Sequence, residues 1–292
     1  MMWNDHTNGG NLIKTGIRTI KGLGIRIKSN FSFDPKEHLF IVTVKHGGPY
    51  GRAVLVSTSK DFKQWTESKL NFGADEVDQE LGRKNIDQRL ADPALQPMYY
   101  EPNPAVYNVD VYNMGVFRYE GLYIGMPALY HATGPVPNYP NTVGFHLIQL
   151  VCSRDLQTWL RLGDRRTFIG PSRLDSGAYD LTQILPPSAP VIRGDELSFY
   201  YTGLKWRGSF TYVGKFPNGK YVPVRGKDRA GGAVCLAVLR RDGFVSLDAD
   251  DKPGTIETQH FRVAAGNLHV NANVFDGELR VEVLENFICS IR

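Results

Sequence analysis

The chain has 292 residues, of which 42% are hydrophobic and 22% charged, a balance that excludes a disordered chain and predicts a real core. At about 150 residues per domain this is one large or two small domains, with enough burial to fold without disulfides or structural metals. Lys plus Arg 34 against Asp plus Glu 30 leaves +4, too slight a bias for a nucleic-acid partner, whose phosphates draw a clustered basic face.

Taken in chain order, the sequence reads as strands and turns. Phe31 to Phe33 turns at Asp34-Pro35-Lys36-Glu37 into a strand over His38 to Val44, and Ala53 to Thr58 follows. Tyr107 to Arg118 turns at Tyr119-Glu120-Gly121 into Leu122 to Tyr130, and Phe145 to Cys152 comes next. Pro190 to Ile192 turns at Arg193 to Glu196 into Leu197 to Thr202. Asn218-Gly219 is a two-residue hairpin signal, and Ala233 to Leu239 is a further strand. In the tail, Glu257 to Val263, Asn267 to Asn273 and Glu278 to Leu284 alternate apolar and polar residues, with Asp276-Gly277 as a turn. No amphipathic helix of normal length is legible. Phe, Tyr and β-branched residues fill the periodic segments while 30 Gly and 17 Pro punctuate them, so the class is all-β.

One motif repeats. Ser59-Lys60-Asp61-Phe62-Lys63-Gln64-Trp65 recurs, 94 positions on, as Ser153-Arg154-Asp155-Leu156-Gln157-Thr158-Trp159, and Arg240-Arg241-Asp242-Gly243-Phe244 is a weaker third copy. Each copy is a strand, an Asp-containing turn and an aromatic residue on the returning strand. With a second hairpin upstream of each copy, a repeat makes four antiparallel strands, which is a propeller blade. Three blades are legible, over residues 18–75, 105–170 and 178–249. The expected organisation is a β-propeller over 1–250 and the opening strands of a β-sandwich over 251–292, whose uncovered edge invites self-association.

Ser153-Arg154-Asp155-x-x-x-Trp159, Gly194-Asp195-Glu196-Leu197-x-Phe199-Tyr200-Tyr201-x-Gly203 and Leu239 to Phe244 resemble blade motifs of the five-bladed β-propeller glycoside hydrolases, the superfamily of invertases, levanases and arabinanases. The resemblance covers most of the chain and implies a propeller, incomplete at three visible blades, whose partner is a carbohydrate. The invertase signatures Trp-Met-Asn-Asp-Pro-Asn-Gly, Arg-Asp-Pro and Glu-Cys are absent. The implied function is a glycoside-hydrolase-like protein acting on or binding a glycan in the axial funnel; the alternative is a non-catalytic carbohydrate-binding or interaction propeller.

Propeller topology sorts the polar candidates. Asp110 and Asp180 precede their hairpin turns by most of a strand and fall at the starts of inner strands, on the ligand face. Two carboxylates facing one funnel suit glycosidic cleavage when roughly 5 to 9.5 Å apart. The alternative for each is a structural acceptor of backbone N–H bonds at a blade junction. The second strands end on the same face, and His46, Tyr130, His131, Lys205 and Trp206 at those ends, with Gln183, are the candidate substrate-binding residues. Asp34, Glu120 and Asp195 fall in the turns at the opposite face, and Asp34-Pro35 suits the first two positions of a type I turn.

Other chemistries find no motif: there is no P-loop, dinucleotide fingerprint, His-Glu-x-x-His or Gly-x-Ser-x-Gly. Cys152, Cys235 and Cys289 are odd in number and lack Cys-x-x-Cys spacing, which argues against a zinc site or a disulfide framework; the resemblance leaves room for an axial Ca²⁺ or Na⁺, but no ligand set is legible, so no metal or cofactor is assigned. No run of about 18 apolar residues predicts a membrane span. Met1 to Gly10 lacks the order of a signal peptide, and localisation is left open.

Overall fold

The computed structural model describes residues 29–98, 101–136, 139–206, 231–249, 251–259, 267–274 and 277–283. They belong to two compact units, 1–246 and 247–292. In the first unit, sheet I is β1 (Ser29–Asp34), β2 (Leu39–Gly48), β3 (Gly51–Ser59) and β4 (Lys69–Phe72), antiparallel in chain order. A helix, α1 (Glu76–Ala91), follows. Sheet II contains β5 (Asn108–Tyr119), β6 (Leu122–Val136), β7 (Tyr139–Ile148), β8 (Val151–Ser153) and β9 (Leu160–Arg161). Its third layer is split, because β7 pairs with the second half of β6 and β8 with the first half. Sheet III is built around β12 (Glu196–Leu204), which pairs on one side with β10 (Gln183–Leu185) and β11 (Val191–Arg193), and on the other with β13 (Gly232–Arg240).

The chain is therefore mostly β, in antiparallel sheets. Alternation along the strands supplies two apolar faces to sheet II. Between sheets I and II lie Ile41, Val54 and Val56 with Val109, Val111 and Met114. Between II and III lie Phe117, Ile124 and Met126 with Ile184, Leu197 and Phe199. The first strands also meet each other. Asn30 on β1 donates to Pro186 O (3.2 Å) just after β10, and Asn113 on β5 donates to Asn30 Oδ1 (3.1 Å).

The repeated motif is one turn built twice. Asp61 Oδ1 accepts the Ser59 hydroxyl (3.0 Å) and the backbone N–H groups of Lys63 and Gln64 (2.8 and 2.7 Å). Asp155 Oδ1 accepts the Ser153 hydroxyl (3.0 Å) and the N–H groups of Gln157 and Thr158 (2.8 Å each). Phe62 and Leu156, one residue later, both take positive φ, 60° and 63°. In the third copy it is Asp242 itself that has φ 59°, and its carboxylate accepts the Tyr119 hydroxyl at 2.6 Å, which ties sheet III to sheet II.

Helix α1 corrects the expectation that no helix of normal length is present. Its start is a capping box: Asp75 accepts from Asp78 N (3.0 Å), and the Asp78 side chain accepts from Asp75 N (3.2 Å). Its buried stripe is Asp78, Gly82, Ile86 and Arg89, spaced correctly for one helix face yet with a single large apolar residue, so hydrophobic periodicity passes over it. At Gly82 the helix backbone approaches β5 so closely that a Cβ would sit 2.2 Å from Val109 Cγ2.

A second correction concerns the tail. The described parts of 267–283, expected as sandwich strands, form no strand, and their residues are exposed. Apolar alternation at Leu268, Val270, Val281 and Val283 supplies a face, but an isolated strand pair without a packing partner is at best marginal. The expected hairpin at Asn218-Gly219 lies outside the described residues. No described helix is long and apolar enough to cross a membrane.

Candidate functional site

Strand register sorts the polar residues to two ends. Ser29 pairs with Val44, Asn108 with Ala132 and Gln183 with Leu204 at one end of the three sheets. Asp34 pairs with Leu39, Tyr119 with Leu122 and Arg193 with Glu196 at the other. Like ends adjoin, since Arg52 reaches Asp110 at the first end, while Tyr123 reaches Asp34 and Arg241 reaches Glu120 at the second.

Asp110 lies near the start of β5 and is 7% exposed. Its Oδ2 accepts from Arg52 Nε (2.8 Å) and Arg52 N (3.2 Å), so a charge-assisted pair fixes the carboxylate on one side. Its Oδ1 is buried and has no hydrogen-bond partner among the described residues. Gly51, at the β2–β3 turn, has φ 115°, and a Cβ there would lie 2.8 Å from Asp110 Oδ2, so glycine both makes the turn and leaves room for the carboxylate.

Rings enclose the Arg52 guanidinium. The centroids of Tyr112 and Tyr130 are 4.8 and 4.6 Å from it, and Lys45 Nζ lies 5.2 Å from the Tyr112 centroid. Tyr112 is the extra residue of a β-bulge, since Val111 pairs with Leu129 and Asn113 with Ala128. His146 on β7 packs against both tyrosines at 4.8 and 5.0 Å, and its backbone N–H donates to Thr182 O (2.9 Å).

That bond leads to a second group. Asp180, 3% exposed, accepts the Tyr201 hydroxyl at 2.7 Å. Burial first and this carboxylate second push the Tyr201 phenol above the usual tyrosine range. Lys205 Nζ stands 4.6 Å from the Tyr179 centroid and 5.7 Å from that of Trp206. Asp110 and Asp180 are thus each held by a different partner, Arg52 and Tyr201, and no hydrogen bond joins the two.

The remaining sequence candidates separate. His46 is exposed, with Nδ1 2.8 Å from Gly47 O. Tyr130 is buried under Arg52, and its hydroxyl donates to Thr142 O (2.8 Å). Gln183 is buried in β10. His131 is 1% exposed beneath α1, stacked on Phe145 at 4.9 Å, with Nε2 3.2 Å from the Asn85 amide and Nδ1 3.2 Å from Leu129 O. Burial presses its pKa down to about 4 against the opposing Leu129 carbonyl bond, so it is neutral at pH 7. The unfolded imidazole binds a proton near pH 6.5 and the folded one only near 4, so stability is lost as pH falls across that window, by roughly 3 kcal/mol in total. The urea midpoint should drop between pH 6.5 and 5 in the native chain and drop less in His131→Gln. Equal slopes would contradict the buried neutral state.

Sequence reasoning missed Arg52, Tyr112, His146 and Arg89. Arg89 Nη2 donates to Gln96 O and Leu181 O (2.9 Å each), anchoring α1 beside Asp180, while Phe145 lies 4.6 Å from its guanidinium. No sequence signal marks the bulge at Tyr112 or the packing of His146, though Gly51-Arg52 at a hairpin was a visible cue. Among the described residues no three His, Cys, Asp or Glu side chains gather as a metal-ligating group.

No protein-family model matches the chain, and no curated protein does. Solved structures with partial likeness include an N-acetylgalactosamine deacetylase from F. plautii in complex with blood group B trisaccharide, at 14% identity and TM-score 0.41 over 73% of this chain and 49% of that one. Another is described as a glycoside hydrolase, at 15% identity and TM-score 0.32 over 78% and 49%. A third is a glycosyl hydrolase from Bacteroides ovatus, at 11% identity and TM-score 0.29 over 59% and 42%. The chain spans about half the length of the first two and less of the third.

Proposed function

We propose that this chain is a glycoside-hydrolase-like, carbohydrate-active protein of the β-propeller type, with sheets I to III as successive blades and a glycan received where the start of β5 presents Asp110 and the segment before β10 presents Asp180. Support for the blades comes from the duplicated Asp61 and Asp155 turns and from the meeting of the first strands through Asn30, Asn113 and Pro186. Support for the glycan comes from Asp110, whose Oδ1 is a buried acceptor without a donor among the described residues. Such a group costs roughly 1–3 kcal/mol, and a sugar hydroxyl that reaches it as the covering side chains rearrange would supply the missing donor.

In this reading the Arg52-held Asp110 is the base or nucleophile and Asp180 the second carboxylate. His46 and Lys205 donate to hydroxyls, and Trp206 offers a ring face. Tyr130, Gln183 and His131 support the site from beneath. Turnover of aryl glycosides and polysaccharides is the test. Asp110→Asn keeps the shape and an acceptor for Arg52, so it should lower kcat by about 10²–10⁴-fold at an unchanged melting temperature. Unchanged kcat on a hydrolysed glycan would remove Asp110 from the site. The burial and prior bonding of both carboxylates favour a second reading, a non-catalytic glycan-binding propeller. Glycan retention without product, weakened by the same variant, selects it.

A further inference from the structure

We propose that the glycan carries an anionic substituent, bound by the Arg52 guanidinium and the Lys45 ammonium over the Tyr112 ring; this rests on the glycan reading above. Arg52 is fixed along one edge, because its Nε and backbone N–H both donate to Asp110 Oδ2, while Tyr112 and Tyr130 hold its plane. Neither of its Nη groups makes a hydrogen bond to a described residue. Lys45 Nζ, beside the same Tyr112 ring, likewise has no hydrogen bond or ion pair there. Among the described residues two cations therefore share one carboxylate.

Electrostatics point the same way. Burial, and then the neighbouring Arg52, hold the Lys45 ammonium below the usual lysine range, and Asp110 offsets this only in part. An anionic group cancels that surplus, whereas a neutral hydroxyl does not. The Nη pair of a guanidinium oriented by its own carboxylate, unbonded to any described residue, matches the oxygens of a carboxylate or a sulfate ester. Lys205, over Tyr179 at 4.6 Å, adds a further cation with no ion pair to a described residue.

Calorimetry on the full chain with an oligogalacturonide, its methyl ester, a neutral galacto-oligosaccharide and a sulfated carrageenan oligosaccharide tests the proposal. At least one acidic saccharide should bind about tenfold or more tightly than the neutral ones, and more weakly at high salt. Binding of the galacturonide alone identifies a carboxylate source, and binding of the carrageenan alone a sulfate source. Lys45→Met, at a partly exposed strand end, should lose most of the acidic preference, and Arg52→Lys should lose it while retaining the charge. Neutral saccharides binding as tightly as the acidic ones would overturn the anionic site and leave the glycan reading standing. Acidic preference undiminished in Lys45→Met also overturns it. Binding of no saccharide at all removes both.

Discussion

Asp78→Ala should destabilise the first unit by about 3–5 kcal/mol, because it removes the common partner of two arginines from a site that water does not reach. The Asp78 side chain is 1% exposed and pairs with Arg161 through Oδ2 and with Arg165 through Oδ1 at 2.9 Å. The same carboxylate closes the capping box on Asp75 N. Its loss leaves Arg161, partly buried over the Phe72 ring at 4.4 Å, without that charge, and it frees the start of α1. Asp75 is a contrast. Burial raises its pKa, but the Arg165 and Asp78 bonds outweigh this and hold it below the ordinary carboxylate range. Its contribution is thus present above the unfolded pKa and lost only as pH falls through the lowered folded one. About half exposed, Asp75 should cost only about 1 kcal/mol as alanine, the loss of a cap. Urea unfolding of both variants, followed by circular dichroism, gives the comparison. Equal losses would mean that the buried pairing adds nothing beyond capping.

The contrast also explains what the sequence made legible. Strands were readable either as an apolar run buried on both faces, as over Leu39–Gly48, or as apolar alternation with one face packed on a neighbouring sheet, as over Gly232–Arg240. The duplicated turn was readable because Asp61 and Asp155 bond within their own turns, so the chemistry is local. Helix α1 was not, because Ile86 is the one large apolar residue of its buried face, and Asp78 and Arg89 on that face are satisfied by Arg161, Arg165 and Leu181 from distant parts of the chain. The candidate site followed the same division. Placing Asp110 and Asp180 near one set of strand ends needed only hairpin order, whereas the Arg52 pairing, the Tyr112 bulge and the covering of His131 by α1 depend on contacts between elements. In the tail, alternation misled because it describes a face and not the partner that would cover it.

Asp34 joins both kinds of information, and its replacement is the second large effect expected. As the sequence indicates, Oδ1 accepts from the backbone N–H groups of Lys36 and Glu37 at 2.9 and 3.2 Å, which makes a local turn. That alone predicts a mild cost for Asp34→Asn. The residue is nevertheless 0% exposed, and Oδ2 accepts the Tyr123 hydroxyl at 2.9 Å and lies 3.5 Å from Arg118 Nη1 in sheet II. Burial, followed by the Asp34 bond, raises the Tyr123 phenol above its usual range, so it stays a donor throughout the physiological range. Asp34→Ala should therefore cost about 3–5 kcal/mol by stranding both partners. Asp34→Asn, which keeps the turn acceptor but not the charge facing Arg118, should fall between alanine and the native residue. Tyr123→Phe in the Asp34→Ala background separates the two roles. If Asp34 acts across the sheets, the second change should cost little once the carboxylate is gone, whereas in the native background it should cost about 1 kcal/mol. Equal costs in the two backgrounds would reduce Asp34 to the turn residue that its sequence suggests.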